Sequence, residues 1–455
     1  MGLPGASALR PPDTVIDIVR KLQDAGFETW CVGGAVRDAL LGRVNQDWDI
    51  ATAAVPGVVQ KMFRKVIPLG IEFGTVGVKD QHGVVHEVTT FRRDVRHDGR
   101  HATVEFGASF LEDLKRRDFT INAIAYDPIS EKLFDPFDGR ADLKTGLVRA
   151  VGTPIDRFVE DRLRVLRGIR FAARFGFRIE PVTWQAMVAS GPHLGRLSAE
   201  RIKQELDKTL EQARKPSEAF SLWQQCGAFA SLIPRLANVN ATVLCAVDMQ
   251  PRPSSVMTAP RYMVRRQMRL ATLFSGRPAS EAVASLKTLR TSKAETAHVG
   301  SLIERWHKLE MEMARVLSAH IQPTDAVLRR WAADIERLRV RDFMRLAWAR
   351  WASERTLGTG TNTPTARAVH DVYRRLLHIA WHDAIAIADL AVDGDDLQAA
   401  GIPAGPFFGK VLAALLNTVV ENPMANSRDF LLLEARRLYD TWSDRGMAAS
   451  GTKST

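Results

Sequence analysis

The spacing of apolar residues changes repeatedly in the first third of the chain, which predicts a region that mixes helices and strands. Residues 13–25 carry apolar side chains at helical spacing, namely Val15, Ile18, Val19 and Leu22. Asp13 is a candidate N-cap of this helix, and Gly26 is expected to end it. Apolar runs then predict strands at 27–32, 48–51, 73–80 and 83–91, with a short helix between the first two that ends near Leu41.

After residue 150 the apolar spacing is helical almost throughout. Stretches rich in Pro, Gly, Ser and Thr at 251–261 and 356–365 are typical of linkers. The pattern predicts a flexible leader 1–12, an α/β head 13–150, a helical neck 151–215, a helical body 216–350, a helical tail 366–445 and a disordered end 446–455. The predicted fold class is an α/β head with a small mixed β-sheet and helices, followed by an all-α neck, body and tail.

Composition narrows the class of protein. The 455 residues are too many for a single core, and no apolar run is long enough to predict a membrane-spanning helix. Three cysteines without CxxC spacing indicate reduced thiols in a cytoplasmic protein rather than a zinc site. The net charge of +11 suggests a nucleic-acid partner, although a generally basic proteome would give the same balance. Nothing in the sequence indicates a membrane or an obligate protein partner.

Two aspartates flank a tryptophan on the second predicted strand. Asp47 and Asp49 are two residues apart, so their side chains are expected on one face of the strand, with Trp48 on the other face in the core. Adjacent carboxylates repel each other unless a cation lies between them, and Mg²⁺ is the usual cation for such a pair. Taken alone, such a pair is more often a solvated strand edge with two surface acids.

A glycine pair shortly before these acids changes that balance. Gly33 and Gly34 lack β-carbons, so the backbone can approach a ligand closely, and the N–H groups of the next helix point to the same place. Arg37 adds a cation one turn later, and Glu87 on a later strand is a candidate third carboxylate. A phosphate-binding turn beside metal-binding acids is the arrangement used for attack on a nucleoside triphosphate. One Mg²⁺ would activate the attacking hydroxyl, and a second would hold the triphosphate.

Four longer segments extend this pattern: GGAVRD at 33–38, DWDIAT at 47–52, EVTTFRRD at 87–94 and RRDFTINAIAYDP at 116–128. Together they resemble the head of class II tRNA nucleotidyltransferases, which build or repair the CCA end of tRNA and include the bacterial poly(A) polymerases. The resemblance implies Asp47 and Asp49 as metal ligands, with Glu87 as a further catalytic acid. It also implies triphosphate contacts from Gly34, Arg37 and Arg117, and ribose contacts from Asp118 and Asn122.

Residues 157–178 form a second informative stretch. Within about 120° of a helical wheel lie Arg164, Arg167, Arg170 and Arg174. The opposite side is apolar and carries Val165, Leu166, Ile169, Ala172 and Ala173. The arginine face has almost no acids beyond its N-terminal end, so an anionic ligand would relieve its repulsion. The alternative is a solvated charged face.

Asp161 precedes Arg164 by three residues, which makes the two side chains neighbours on a helix. A carboxylate that accepts from an amino group, beside a guanidinium that donates to a ring nitrogen, suits cytosine and adenine and mismatches uracil and guanine. EDRLR at 160–164 also resembles the nucleotide-selecting motif of the family. The resemblance implies base contacts from Asp161 and Arg164, with Arg167 and Arg170 contacting phosphates or flanking the site.

The sequence therefore predicts a template-independent tRNA nucleotidyltransferase that uses CTP, ATP and Mg²⁺ to add or repair the terminal CCA of tRNA and releases pyrophosphate. The segment 92–109 matches the loop that the family needs for switching from C to A addition, which favours a full CCA enzyme. Residues 390–432 resemble the tail of the bacterial enzymes, where tRNA would bind. A CC-only enzyme, an A-only enzyme and a poly(A) polymerase are alternatives, and a non-catalytic RNA-binding protein is a rival from another class.

Overall fold

The computed structural model describes residues 9–97, 102–250, 259–319, 322–403 and 406–450, together with Gly5. The chain divides into two compact units, residues 1–238 with 288–290, and residues 239–287 with 291–455. The division after Asn238 falls inside the segment 216–350 that was predicted as the helical body.

A mixed β-sheet organises the head of the first unit. In chain order the head contains α1 (Asp13–Asp24), β1 (Thr29–Val32), α2 (Gly34–Leu40), β2 (Asp49–Thr52), α3 (Pro56–Met62), β3 (Val66–Gly70), β4 (Thr75–Lys79), β5 (Val85–Thr90), β6 (Arg92–His97), β7 (Ala102–Phe106), α4 (Phe110–Lys115), β8 (Ala125–Asp127), β9 (Lys132–Phe134), α5 (Gly139–Thr145) and β10 (Leu147–Val148). Seven strands form one sheet in the order β3-β4-β5-β2-β1-β8-β9. In this sheet β2 and β5 are parallel, and the other neighbours are antiparallel. The predicted α/β head is confirmed.

The first helix follows its apolar spacing. The four predicted apolar positions of α1 are buried: Val15, Ile18, Val19 and Leu22. The predicted N-cap was wrong by one residue, because Pro12 occupies that position and Asp13 is the first helical residue. In the predicted leader, residues 1–4 and 6–8 lie outside the described residues, and Leu9 is buried.

Some strands were not predicted from the sequence. β3 is mostly exposed and contains Pro68 at the sheet edge, where a missing N–H is tolerated, so it lacks the apolar run of a buried strand. The segment 92–109, expected to be a loop, contains the antiparallel pair β6 and β7, with residues 98–101 outside the described part.

Helices dominate the rest of the first unit. They are α6 (Pro154–Glu160), α7 (Leu163–Phe175), α8 (Pro181–Ser190), α9 (Ala199–Gln212), α10 (Pro216–Gln225) and α11 (Ala228–Leu232), with the short strand β11 (Arg178–Ile179) after α7. The prediction of one helix through 157–178 was wrong, because α6 ends before Asp161, which has an extended backbone (φ −144°, ψ 102°). The Asp161 carboxylate accepts the N–H of Leu163 at 3.0 Å, a local turn that competes with helix and begins α7 anew.

The second unit is helical in all its described elements. They are α12 (Ala241–Asp248), α13 (Ala259–Phe274), α14 (Ala279–Thr288), α15 (Lys293–Ser318), α16 (Asp325–Ile335), α17 (Val340–Leu357), α18 (Ala366–His382), α19 (Gly394–Ala399), α20 (Pro406–Glu421) and α21 (Arg428–Ser450). Its core includes the buried rings of Trp306, Phe343 and Trp351. Across the described ranges, no helix combines the length and the apolar character needed to cross a membrane.

The predicted breaks and ends of the helical region have different outcomes. The break at 356–365 is confirmed, since it separates α17 from α18, whereas residues 251–258 lie outside the described part. α21 runs to Ser450, so a helix covers 446–450 of the end that was predicted to be disordered. Residues 451–455 lie outside the described residues.

Candidate active site

The strand pairing brings three sequence segments to one edge of the sheet. Asp49 at the start of β2 pairs with Val32 at the end of β1, and Ala125 of β8 pairs with Val32 from the other side. Gly33 follows directly with φ +78°, a conformation that favours glycine. A β-carbon on Gly33 would lie 3.2 Å from the Arg117 Nη1 and 3.3 Å from the Asp49 Oδ2. The glycine turn, the acidic strand and the RRDFTINA segment therefore meet at one point.

Three carboxylates lie near this point. Asp47 is exposed and Asp49 is half-buried, whereas Trp48 is buried in the core as predicted. Ile50 of β2 pairs with Val88 of the parallel strand β5, so the residues before them, Asp49 and Glu87, stand side by side. Burial, and then the charge of Glu87, raise the pKa of Asp49 to about 6, with Asp47 adding to the shift and Arg117 opposing it.

The repulsion between these neighbouring carboxylates bears on whether they fit a metal ion. A divalent cation relieves repulsion of this kind, and the carboxylate oxygens of Asp47 and Asp49 are ligands that Mg²⁺ prefers. Within the described ranges, no group of three or more His, Cys, Asp or Glu side chains is arranged to hold a metal ion. Asp47 and Asp49 thus stay the predicted metal ligands, and Glu87 stays the predicted further catalytic acid.

Arg117 faces the glycine turn with hydrogen-bonding capacity to spare. Its Nη2 lies 3.4 Å from Asp113 and its Nη1 lies 3.5 Å from the Asn122 carbonyl, both at the long limit for a hydrogen bond. Among the described residues its Nε has no acceptor, although the atom is buried. A cation with unused donors beside a backbone turn without β-carbons is suited to a phosphate group.

Arg37 occupies a different environment from the one expected of a phosphate contact. It is 3% exposed, and its guanidinium donates to Asp38 and Asn122. The rings of Phe171 and Phe175 on α7 lie 5.1 and 4.8 Å from it. Burial lowers the pKa of Arg37, and the Asp38 charge opposes that effect. Every described contact of Arg37 is thus internal, and it joins α2 to α7.

Asp118 and Asn122 form a buried pair. The Asn122 Nδ2 donates to the Asp118 Oδ1 at 2.8 Å, and the Arg167 Nε donates to the Asp118 Oδ2 at 2.8 Å. Burial by itself raises the pKa of Asp118, but the Arg167 charge and the hydrogen bonds outweigh it and lower that pKa to about 2. The structure brings together the two residues predicted to contact ribose and fixes them to α7 through Arg167.

Asp161 and Arg164 are close in the chain but do not pair with each other. The Arg201 Nη2 donates to Asp161 at 2.8 Å. Arg164 donates to Glu160 at 2.9 Å and to the carbonyl of Arg116 at 2.8 Å. The prediction that they are neighbours on one helix was wrong because the helix breaks at Asp161, yet each side chain is held by other partners. Arg164 also contacts Arg116, the residue next to Arg117, so the predicted base-selecting residue is joined to the predicted triphosphate-binding segment.

The arginine face of α7 is compensated by acids, contrary to the expectation from sequence. Its four ion pairs are Arg164–Glu160 at 2.9 Å, Arg167–Asp118 at 2.7 Å, Arg170–Glu205 at 2.7 Å and Arg174–Asp38 at 3.0 Å. Three of the four acids come from distant segments, so the helical wheel could not reveal them. Both partners of the Arg170 pair are buried. The opposite apolar face is buried as predicted.

Comparisons with known proteins agree on one family across most of the chain. Residues 29–149 match the family model described as the poly A polymerase head domain, and residues 268–435 match the model of tRNA nucleotidyltransferase domain 2. The chain is 32% identical over 427 residues to the CCA-adding enzyme of Lactiplantibacillus plantarum, which covers 93% of this chain and 96% of that protein. It is 31% identical over 447 residues to the CCA-adding enzyme of Geobacillus kaustophilus, and this alignment covers 95% of this chain and 99% of that protein.

A solved structure gives the same result. The Bacillus stearothermophilus CCA-adding enzyme in complex with CTP superposes with a TM-score of 0.69 at 28% identity, over 95% of this chain and 98% of that one. The relatives match over nearly their full lengths, and the matched region includes the converging glycine, aspartate and arginine segments. The chain therefore belongs to the CCA-adding enzymes, a family of tRNA nucleotidyltransferases.

Proposed function

We propose that this chain adds or repairs the 3′-terminal CCA of tRNA, using CTP and ATP without a nucleic-acid template and releasing pyrophosphate. The observation that carries the proposal is the meeting of Asp49, Gly33 and Arg117 within contact distance at one sheet edge. The nearly full-length match to CCA-adding enzymes supports tRNA as the substrate, and the relative that was solved with CTP supports the nucleotide.

In this proposal the head holds the triphosphate and the metal. Asp47 and Asp49 would hold Mg²⁺, which supplies activation of the attacking hydroxyl and neutralisation of phosphate charge when bound. The backbone of Gly33 and Gly34 approaches the phosphates, and Arg117 donates to them from its Nη groups, whose described hydrogen bonds are at the long limit. Glu87 lies beside the pair, and its negative charge makes this position more favourable for a cation.

The 3′-hydroxyl of the tRNA terminus attacks the α-phosphate of the nucleotide. A bond forms between that oxygen and the α-phosphorus while the hydroxyl proton passes to solvent, the bond from the α-phosphorus to the bridging oxygen breaks, and pyrophosphate leaves. The chain contributes mainly by positioning the reacting groups and by binding their charge, since no protein general base is evident among the described residues of the site.

Base selection is assigned to Asp161 and Arg164. The Asp161 carboxylate accepts from the amino group of cytosine or adenine, and the Arg164 guanidinium donates to the ring nitrogen beside it. Arg201 holds Asp161, and the Arg116 carbonyl holds Arg164, so neither group has to be ordered when the nucleotide binds. Pre-positioned groups of this kind reject uracil and guanine because the Asp161 carboxylate would face a carbonyl oxygen and the Arg164 guanidinium would face a ring N–H.

Other predicted contacts surround this pair. Asp118 and Asn122 would bind the ribose, and Arg167 holds Asp118 in place. Arg170 flanks the site from its buried pair with Glu205. All the described contacts of Arg37 are with other parts of the protein. It would therefore affect the triphosphate indirectly, by holding the short helix α2 in place.

The helical segments outside the head are proposed to bind tRNA. We assign base selection to the neck at 151–215, and tRNA backbone contacts to the body at 216–350 and to the tail at 366–445. The net charge of +11 supports this assignment, because basic surfaces attract phosphates.

Asp49→Asn tests whether the chain is an enzyme rather than an RNA-binding protein. Incorporation of labelled CMP into a tRNA transcript that ends before CCA is expected to fall by roughly a thousandfold, since loss of a metal ligand removes several kcal/mol of transition-state stabilisation. Binding of the same transcript is expected to be unchanged. Asp24→Asn, at an exposed acid of α1, is the matched control and keeps full activity. Equal activity of Asp49→Asn and the control would contradict the proposal.

A further inference from the structure

Two arginines on α7 reach different parts of the candidate active site. Arg167 and Arg174 are seven residues apart, two turns of the helix, and therefore lie on one face. The Arg167 Nε donates to Asp118 at 2.8 Å, and the Arg174 Nη2 donates to the Oδ2 of Asp38 at 3.0 Å. Asp38 belongs to α2, the short helix that follows the glycine turn.

The two contacts are the ends of one continuous circuit. The Asp38 Oδ1 accepts from the Nε and Nη2 of Arg37, at 2.9 and 2.7 Å. Arg37 also donates to the Asn122 side chain, whose Nδ2 donates to the Asp118 Oδ1 at 2.8 Å. The hydrogen bonds thus leave α7 at Arg174, pass through the glycine-turn helix and the RRDFTIN segment, and return to α7 at Arg167.

The circuit is buried where it crosses between these segments. Asp38 is 4% exposed and Arg37 is 3% exposed, so each charge depends on its partner for stability. Phe171 and Phe175 cover the Arg37 guanidinium from α7, and the Phe175 ring also lies 4.9 Å from Arg174. Breaking one link removes part of the compensation of a buried charge, so the intact circuit favours one geometry.

We propose that Arg174 and Asp38 are positioning residues that set base selection by fixing the direction of α7. The proposal rests on the function proposed above, in which Arg164 near the start of α7 reads the base. The buried apolar face of α7 and the Arg170–Glu205 pair hold the body of the helix. The Arg167 and Arg174 contacts, two turns apart, add two fixed points against the RRDFTIN segment and the glycine-turn helix and so set the direction of α7 relative to them. Arg174 is ten residues from Arg164, about 15 Å along the helix, so a tilt of about 4° moves Arg164 by about 1 Å. An error of that size is enough to disturb a pair of directed hydrogen bonds.

Arg174→Gln tests the proposal. The measurement is kcat/KM for single addition to a tRNA transcript that ends before CCA, with CTP alone and with UTP alone. The ratio of the two values is expected to fall roughly tenfold, the size associated with loss of a charge-assisted hydrogen bond. A general loss of stability would lower both values and leave their ratio unchanged. The side chain of Arg174 is 26% exposed, so the variant is expected to fold.

Three further variants sharpen the result. Arg174→Lys keeps a charge that can reach Asp38 and is expected to restore most of the ratio. Arg178→Gln removes an exposed arginine four residues further along the chain and is expected to leave the ratio unchanged. Asp38→Asn, which breaks the same link from the other side, is expected to lower the ratio as Arg174→Gln does.

The outcomes separate this inference from the proposed function. No addition by the unsubstituted chain would overturn the proposed function, and this inference with it. An active unsubstituted chain with an unchanged CTP-to-UTP ratio in Arg174→Gln would overturn the positioning role alone. An equal fall of the ratio in Arg178→Gln would also overturn it, because the effect would then not depend on the circuit.

Discussion

Asp49 pairs with Val32 across two antiparallel strands, so the acidic strand begins where the glycine turn starts. This register explains why Gly33 and Asp49, 16 positions apart in the chain, lie so close that a β-carbon on Gly33 would be 3.3 Å from the Asp49 Oδ2. A shift of one residue would turn the Asp49 side chain to the opposite face of the sheet. The relationship therefore makes the candidate active site a consequence of strand pairing.

Gly33→Ala is expected to lower activity about a hundredfold, since its β-carbon would contact both Arg117 and Asp49 and displace them. Gly42→Ala is the matched control, because Gly42 also has a positive φ of +69° but has open space around it. Both variants are expected to lose stability from backbone strain, and Gly33→Ala the more, because its ψ of −135° lies outside the left-handed helical region. The check is CMP incorporation together with urea unfolding. A similar loss of activity in both variants would contradict the assigned role of Gly33.

Mg²⁺ is expected to raise the melting temperature of the chain, because a ligand that binds the folded state stabilises it. The double variant Asp47→Asn/Asp49→Asn is expected to lose this rise, and Asp24→Asn to keep it. Removal of metal with EDTA is expected to stop CMP incorporation without unfolding the protein. The measurement is thermal unfolding with and without Mg²⁺, in parallel with incorporation. An undiminished rise in the double variant would place the metal elsewhere.

The Asp118 carboxylate is expected to stabilise the fold in a pH-dependent way. Its folded-state pKa of about 2 lies below the ordinary value of 3.8, so the contribution is present above pH 4 and is lost as the pH falls through about 2. The shift corresponds to about 2 kcal/mol. In urea unfolding, Asp118→Asn is expected to be less stable than the unsubstituted chain at pH 6, with the difference narrowing below pH 4. A difference independent of pH would contradict this account.

Asp161→Asn is expected to weaken the preference for CTP over UTP, since the amide can donate where the carboxylate only accepts. One correctly paired base edge is worth about 1 to 3 kcal/mol, so the ratio of kcat/KM values is expected to fall about tenfold to a hundredfold. Asp156→Asn, at an exposed acid of α6, is the control. If the preference survives in Asp161→Asn, base selection belongs to other groups.

Local signals in the sequence predicted the head and several parts of the site. The glycine pair and the apolar face of α1 each depend on residues close in the chain, and the structure places them as expected. The DWD pattern is placed only in part, because β2 begins at Asp49 and Asp47 lies before the strand, although Trp48 is buried as predicted. The edge strand β3 was missed because it is exposed and contains Pro68. The break at Asp161 was missed because it comes from a hydrogen bond between the Leu163 N–H and the Asp161 side chain. That bond leaves no trace in the spacing of apolar residues along the sequence.

The compensation of the α7 arginines could not be predicted for a different reason. Asp38, Asp118 and Glu205 approach the helix only after folding, from segments up to 136 residues away. No periodicity in 157–178 contains that information. The circuit through Arg37 was hidden in the same way, since its partner Asn122 is 85 residues distant.

The most direct test of the central claim is product analysis at single-nucleotide resolution. The purified chain with Mg²⁺ would be given tRNA transcripts that end before CCA, after C and after CC, with each nucleoside triphosphate alone and with CTP plus ATP. We predict products that end in CCA from all three transcripts, with no addition of U or G. Arrest at CC, addition to the CC-ended transcript only, or long A-tails would contradict the assignment of full CCA addition.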